Sequence, residues 1–253
     1  MVDPRAERGF TEAEAYERGR PSYPPELVAR LARKLGIGKR SAVLDLAAGT
    51  GKLTRLLAPL AGRVVAVDPS EPMLEQLRGA APDAETAPGA AEAIPLDDAS
   101  IDAVFVGEAF HWFSTADAAT EMARVLVPGG GLVLLWNHPV WDEDANPWLH
   151  SFRSLTDSLR EAFGPMPIAS DDWKTVLERS FEPLQKAEAE HVQRLDRDAF
   201  VEMVSSWTWI VAMAEDERSD LLNEVHNMLP PSDDLHLRYR TDAYWTRKRG
   251  QTP

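Results

Sequence analysis

The chain has 253 residues, 44% of them hydrophobic, no cysteine, and 41 acidic against 27 basic side chains, for a formal net charge of −14. That length and apolar content suit one large domain with a sizeable core. The charge argues against a nucleic-acid partner, since phosphates are held by clustered Lys and Arg, and the missing thiols exclude disulfides, thiolate metal ligands and a cysteine nucleophile.

Residues 1–8 carry no apolar signal core, and no apolar run is long enough to span a bilayer, so a soluble, cytoplasmic protein with no membrane partner is expected. Of the stretches 1–40, 41–140 and 141–253, only the first has a basic excess. Residues 1–40 are read as an N-terminal arm or lid with a first helix over 24–35, stopped by Gly36 and Gly38. Residues 41–137 alternate apolar strands, at 42–46, 63–68, 101–106 and 132–136, with helices at 51–60, 72–78 and 115–126. Continuous apolar strands between helices predict an α/β fold whose parallel sheet is covered on both faces. Pro128-Gly129-Gly130-Gly131 reads as the breaker that stops the helix before it.

Residues 138–230 differ. They are rich in Trp, Pro and charge, and read as a helical cap or substrate region with one core strand at 188–195. Its helices are expected at 148–163, 171–179, 196–213 and 215–228. Residues 231–253 hold a terminal strand, because 235–241 alternates with period two.

Val43-Leu44-Asp45-Leu46-Ala47-Ala48-Gly49-Thr50-Gly51-Lys52-Leu53-Thr54 carries the strongest chemical signal. A buried strand enters a turn of small residues and then a helix, so backbone approaches a ligand closely and the helix presents free N–H groups. Asp68 ends the next apolar run, where a carboxylate can accept hydrogen bonds from both ribose hydroxyls of a nucleoside. A dinucleotide fingerprint needs a third glycine, and counting from Gly49 that position is Thr54. A nicotinamide-dependent oxidoreductase is therefore the runner-up among enzymes.

Asp45-Leu46-Ala47-Ala48-Gly49-Thr50-Gly51 resembles motif I of the class I S-adenosylmethionine-dependent methyltransferases. Four more segments resemble the same family in order: Asp68-Pro69-Ser70 with Met73-Leu74; Ala91-Glu92-Ala93-Ile94-Pro95-Leu96 with Ser100-Ile101-Asp102; Glu108-Ala109-Phe110-His111-Trp112-Phe113; and Arg124-Val125-Leu126-Val127-Pro128-Gly129-Gly130. The subgroup most similar is the type 11-like methyltransferases that act on small molecules, among them the trans-aconitate-methyltransferase-like proteins. The resemblance implies a doubly wound, mostly parallel seven-stranded Rossmann-like sheet with an antiparallel terminal strand and a helical cap. It implies S-adenosyl-L-methionine as cofactor and a small-molecule methyl acceptor, with transfer to an O, N or C nucleophile by direct in-line displacement.

By the same resemblance, Ala47, Gly49, Thr50 and Gly51 lie along the cofactor, Asp68 holds its ribose, and Pro69, Met73, Ala91 and Glu92 surround its adenine. Tyr16 and Arg20, in Tyr16-Glu17-Arg18-Gly19-Arg20-Pro21-Ser22-Tyr23-Pro24, meet its carboxylate, and Glu108 belongs to the same cofactor set. His111 is the leading candidate base, with His138 second; either is also explained as a packed side chain. The family's first glycine is Ala47 here, so the backbone at that position is expected to avoid positive φ. No metal is expected, and a monomer or homodimer is equally compatible with the sequence. Trp207 and Trp209, two residues apart on one expected helix, point to different sides, so one of them at most lines a site. A non-catalytic S-adenosylmethionine-binding regulator is the non-enzyme alternative.

Overall fold

The apolar runs lie side by side in the computed structural model, which describes residues 13–142, 144, 146–163 and 171–250. Within that range the chain runs α1 (Ala13–Gly19), α2 (Pro25–Leu35), β1 (Ala42–Leu46), α3 (Lys52–Leu57), β2 (Arg63–Asp68), α4 (Glu71–Ala80) and β3 (Glu85–Pro88). It continues with β4 (Ile101–Gly107), a 3-10 turn (Phe110–Trp112), α5 (Ala116–Val125), β5 (Leu126–Val140), α6 (Trp148–Phe163) and a second 3-10 segment (Asp171–Leu177). The last elements are β6 (Gln185–Leu195), α7 (Arg197–Ser205), α8 (Thr208–Val211), α9 (Glu215–Met228) and β7 (Leu235–Arg247). No helix among the described residues is long and apolar enough to cross a membrane.

The sheet has seven strands in the order β3-β2-β1-β4-β5-β7-β6. β1 pairs in parallel with both β2 and β4, whereas β7 runs antiparallel to β5 and to β6. Alternate side chains of each strand face opposite layers. Leu44, Leu46, Val104 and Val106 pack with α5 and the Trp173–Phe181 region, while Val43, Ala103 and Phe105 pack under α2 and α3. A separate apolar cluster, built from Phe152, Phe200, Val204, Ile210 and Val225 with Leu235, Leu237 and Tyr239, holds the cap helices on the first half of β7.

Connections leave β1 toward β2 on one side and return to β4 on the other. The carboxyl end of β1 is thus the switch point of the sheet, where a crevice opens between diverging loops.

Several boundaries differ from the sequence expectation, each for a local reason. β3 has no apolar run and only four residues, all partly or fully exposed, and so carries no periodic signal. The Pro128–Gly131 cluster does not end α5, which already stops at Val125; it forms an irregularity inside β5, whose pairing to β4 jumps from Ile101↔Leu126 to Ala103↔Gly131. The helix expected over 196–213 is two, α7 and α8, separated at Trp207, whose backbone is extended. The terminal strand reaches Arg247, well past the alternating stretch, because its second half is covered on both faces.

Candidate functional site

A cavity of about 460 Å³ opens at the switch point, within the range of small-molecule sites. Its floor is the turn after β1. Ala48 N–H donates to Val67 O at 3.1 Å and Gly49 N–H to Asp68 Oδ2 at 2.8 Å, so the turn is stitched to the end of β2. Ala47 and Gly49 both stand at positive φ, 57° and 54°. The expectation for Ala47 is thus corrected: the alanine adopts the left-handed conformation that glycine takes more easily, at a cost of roughly 1–2 kcal/mol. An Ala47→Gly variant removes that strain but adds about 0.5–1 kcal/mol of unfolded-chain entropy. Its melting temperature is expected to equal or slightly exceed that of the parent; a clear loss would show that the methyl group packs favourably.

A Cβ added at Gly49 would meet nothing within 4 Å, so the backbone there faces open space on the cavity wall. Gly51, at φ 86°, is placed otherwise than expected. It does not line the cavity but caps α3, and its missing Cβ makes room for Leu77, whose Cγ would lie 2.7 Å away.

Asp68 is 2% exposed and accepts from Ser70 N–H through Oδ1, also at 2.8 Å. Each carboxylate oxygen therefore keeps one lone-pair direction for a ligand. Burial raises its pKa, and the two backbone N–H donors oppose that shift. Beneath the turn, Asp45 accepts from Thr54 Oγ1 at 2.5 Å, and burial lifts its pKa to about 7. Pro69, Met73, Ala91 and Glu92 line the cavity beyond Asp68. The loop that carries Ala91 and Glu92 is held by Arg124, which donates to Ile94 O at 2.9 Å and Leu96 O at 2.8 Å while pairing with Glu121 and Asp98.

The arm crosses the opening. Thr50 lines the cavity, but its hydroxyl donates to Glu17 Oε2 at 2.5 Å; Arg55 pairs with Glu17 at 2.6 Å and Lys52 donates to its carbonyl. On the cap side Arg18 meets Glu202 at 3.0 Å and Gln193 donates to Gly19 O at 2.8 Å. Tyr16 and Arg20 both enter the cavity, with the guanidinium 5.4 Å from the Tyr16 ring centre. Arg20 is turned toward the cap: Nε donates to Ser206 Oγ at 2.9 Å and Nη2 to Ser206 O at 2.8 Å. These contacts use Nε–H and one Nη2–H, which leaves the second Nη2–H and both Nη1–H for an anion, so an end-on bidentate pair stays open to Arg20.

Glu108, just past β4, also stands at positive φ, 58°. Its Oε1 accepts from Asn137 N–H at 2.5 Å, and burial raises its pKa to about 7 against the pull of that N–H and of Arg20. The preceding Gly107 is required by close approach, since a Cβ there would lie 2.2 Å from the Tyr23 hydroxyl. His111 lines the cavity with Trp136 Nε1–H directed at its Nδ1, 3.4 Å away. That contact places the proton of the neutral ring on Nε2, and burial together with Arg20 lowers its pKa to about 4. His138 reaches the cavity rim, half-exposed and 3.8 Å from Asp242. Both histidines are therefore brought to the cavity, but His111 is a weak base there.

The cap wall contains residues that the sequence did not single out. Arg153, Thr156, Asp157 and Arg160 reach it from one face of α6. Of the eight tryptophans, Trp112, Trp136, Trp141, Trp207 and Trp209 line the cavity, while Trp148 packs on Phe200 and Trp173 on Trp136 and Tyr244. Trp207 and Trp209 both line it, with ring centres 5.8 Å apart, contrary to expectation. Trp207 precedes α8 with extended backbone, so helical spacing does not govern the pair.

Similar proteins are found both by sequence and by fold. The methyltransferase domain family matches residues 44–134, from the middle of β1 into β5. Uncharacterized methyltransferases of Mycobacterium bovis and Mycobacterium tuberculosis are 40% identical over 215 residues, 85% of this chain and 82% of theirs. Another, from Schizosaccharomyces pombe, is 29% identical over 94% of this chain and 96% of its own. Among solved structures, one from Anaeromyxobacter dehalogenans assigned to the type II methyltransferases is 25% identical and superposes with a TM-score of 0.70, covering 92% of this chain and 99% of that one. A Haemonchus contortus phosphoethanolamine N-methyltransferase shares the fold at 15% identity and a TM-score of 0.55, over 95% of this chain and 57% of its own; its structure contains S-adenosylhomocysteine.

Proposed function

Because the chain belongs to the class I S-adenosylmethionine-dependent methyltransferases, we propose that it moves a methyl group from S-adenosyl-L-methionine to an O, N or C nucleophile of a small molecule by direct in-line displacement. The observation that carries this reading is one cavity lined both by Gly49 and Asp68 at the switch point and by tryptophans of the cap. A nucleoside fits the switch point, where open backbone at Gly49 lies beside a buried carboxylate with free lone pairs. Asp68 would hold the ribose, Pro69, Met73, Ala91 and Glu92 would flank the adenine, and Tyr16 with the free edge of Arg20 would face the carboxylate. Ala47, Gly49 and Thr50 would form the floor.

When bound, the sulfonium supplies an electrophilic methyl group, so the protein has to align a nucleophile and exclude water. Trp112, Trp141, Trp207 and Trp209 offer flat apolar surface for the acceptor. Arg160 adds a cation to that wall, while Arg153 is paired with Asp157 at 3.5 Å. The arm is clamped at both sides of the site, by Glu17 to Arg55 of α3 and by Arg18 to Glu202 of α7.

Calorimetry tests the reading. One-to-one binding of S-adenosylhomocysteine with no heat from NAD is expected. NAD binding without the sulfur compound would favour the oxidoreductase. Binding of S-adenosylmethionine without methyl loss to any acceptor would favour the regulator.

A further inference from the structure

We propose that Glu108 takes the acceptor's proton during transfer, and that the acceptor is a protic nucleophile, a hydroxyl or an amine, on an apolar or planar frame; this rests on the methyltransferase reading above. Glu108 holds a backbone conformation that costs a non-glycine residue roughly 1–2 kcal/mol. The fold maintains it with a hydrogen bond from its own N–H to Leu135 O at 2.9 Å and one to Oε1 from Asn137 N–H. One carboxylate oxygen is thereby pinned, while Oε2 accepts no hydrogen bond among the described residues. Glu108 lines the same cavity as Gly49 and Asp68 on one hand and Trp207 and Trp209 on the other.

The groups that face it are Arg20 and Tyr16 from the arm, Tyr23 from the segment before α2, and Tyr239 from β7. The tyrosine hydroxyls are held protonated by burial, so Arg20 is the opposing charge. A proton affinity near neutrality is where a base both exists ionised and retains driving force.

The other titratable groups fit less well. His111 receives the Trp136 N–H on Nδ1, which leaves Nε2 as a donor. Its natural task is to hydrogen-bond an acceptor oxygen. Asp45 also lines the cavity but is 1% exposed and tied to Thr54. His138 is half-exposed beside Asp242. A carboxylate acceptor arrives already ionised, needs no base, and would be repelled by an ionised Glu108. A hydroxyl, or an amine that arrives protonated, does need one: its proton passes to Oε2, its freed lone pair bonds the methyl carbon, and the carbon–sulfur bond breaks with the electron pair left on sulfur.

The test uses the full chain with tritium-labelled S-adenosylmethionine, matched sets of phenols, benzylamines and benzoates, and calorimetry with S-adenosylhomocysteine. Methylation of phenols or benzylamines is expected. Glu108→Gln should lose roughly a hundredfold or more in kcat and lose the rise of kcat with pH up to about 7. Its S-adenosylhomocysteine affinity should stay within about threefold of the parent. His111→Gln should lose less than about tenfold.

A readout independent of activity is thermal stability against pH. The folded state binds the Glu108 proton more tightly than the unfolded chain, so the parent gives up stability as pH rises from 4.5 to about 7. Glu108→Gln does not, so its melting temperature should exceed the parent's at pH 8 and approach it at pH 4.5. Methylation of benzoates alone, methylation of no protic compound while S-adenosylhomocysteine binds, retained activity in Glu108→Gln, or parallel stability profiles would each overturn the assignment. Failure to bind S-adenosylhomocysteine would instead overturn the methyltransferase reading beneath it.

Discussion

Asp68→Ala is expected to weaken S-adenosylhomocysteine binding by on the order of a hundredfold or more. The ribose hydroxyls would each donate to a buried carboxylate, and a hydrogen bond to a charged group is worth roughly 1.5–3 kcal/mol. The substitution also frees two backbone donors, Gly49 N–H and Ser70 N–H, which now hold the turn and the start of α4 in place. Asp68→Asn separates these effects: its amide oxygen still satisfies one backbone donor, so the turn is better kept while the charge is lost. An intermediate affinity is expected from calorimetry. Parent-like binding by Asp68→Ala with an unchanged melting temperature would remove the residue from the cofactor site.

Phe152→Ala should produce the largest stability loss, about 3–5 kcal/mol. Phe152 is 1% exposed, and its ring centre lies 5.8 Å from Trp141, 6.2 Å from Trp148, 5.2 Å from Phe200 and 5.9 Å from Trp207. Two of these neighbours, Trp141 and Trp207, also line the cavity. The cavity left by the missing ring would therefore reach the acceptor wall. Urea unfolding followed by tryptophan fluorescence measures the loss. A change below about 1 kcal/mol would mean that the cap recloses around the gap.

The glycine-turn side of the cavity was legible in the sequence because its residues are local. A strand, a small-residue turn and a helix are contiguous in 43–54, and Asp68 closes the next apolar run. Arg124 differs: its motif is visible in the sequence, but its task, holding the 94–98 loop, emerges only when Ile94 and Leu96 come within reach. The cap side of the cavity was not legible. Arg153 and Arg160 look like the solvated face of an amphipathic helix until the cap brings that face over the switch point. Trp207 and Trp209 were misjudged because one extended residue interrupts a helical pattern. The conformations of Ala47 and Glu108 run against their own preferences, and only the surrounding hydrogen bonds reveal why they hold.

The most direct test of the account is the crystal structure of the S-adenosylhomocysteine complex. The ribose hydroxyls should lie within hydrogen-bond distance of Asp68, the adenine beside Ala91, and the sulfur toward Glu108 and the cap tryptophans, with acceptor space left under Trp207 and Trp209. A complex with the nucleoside away from Asp68, or with the sulfur directed away from the cap wall, would contradict it.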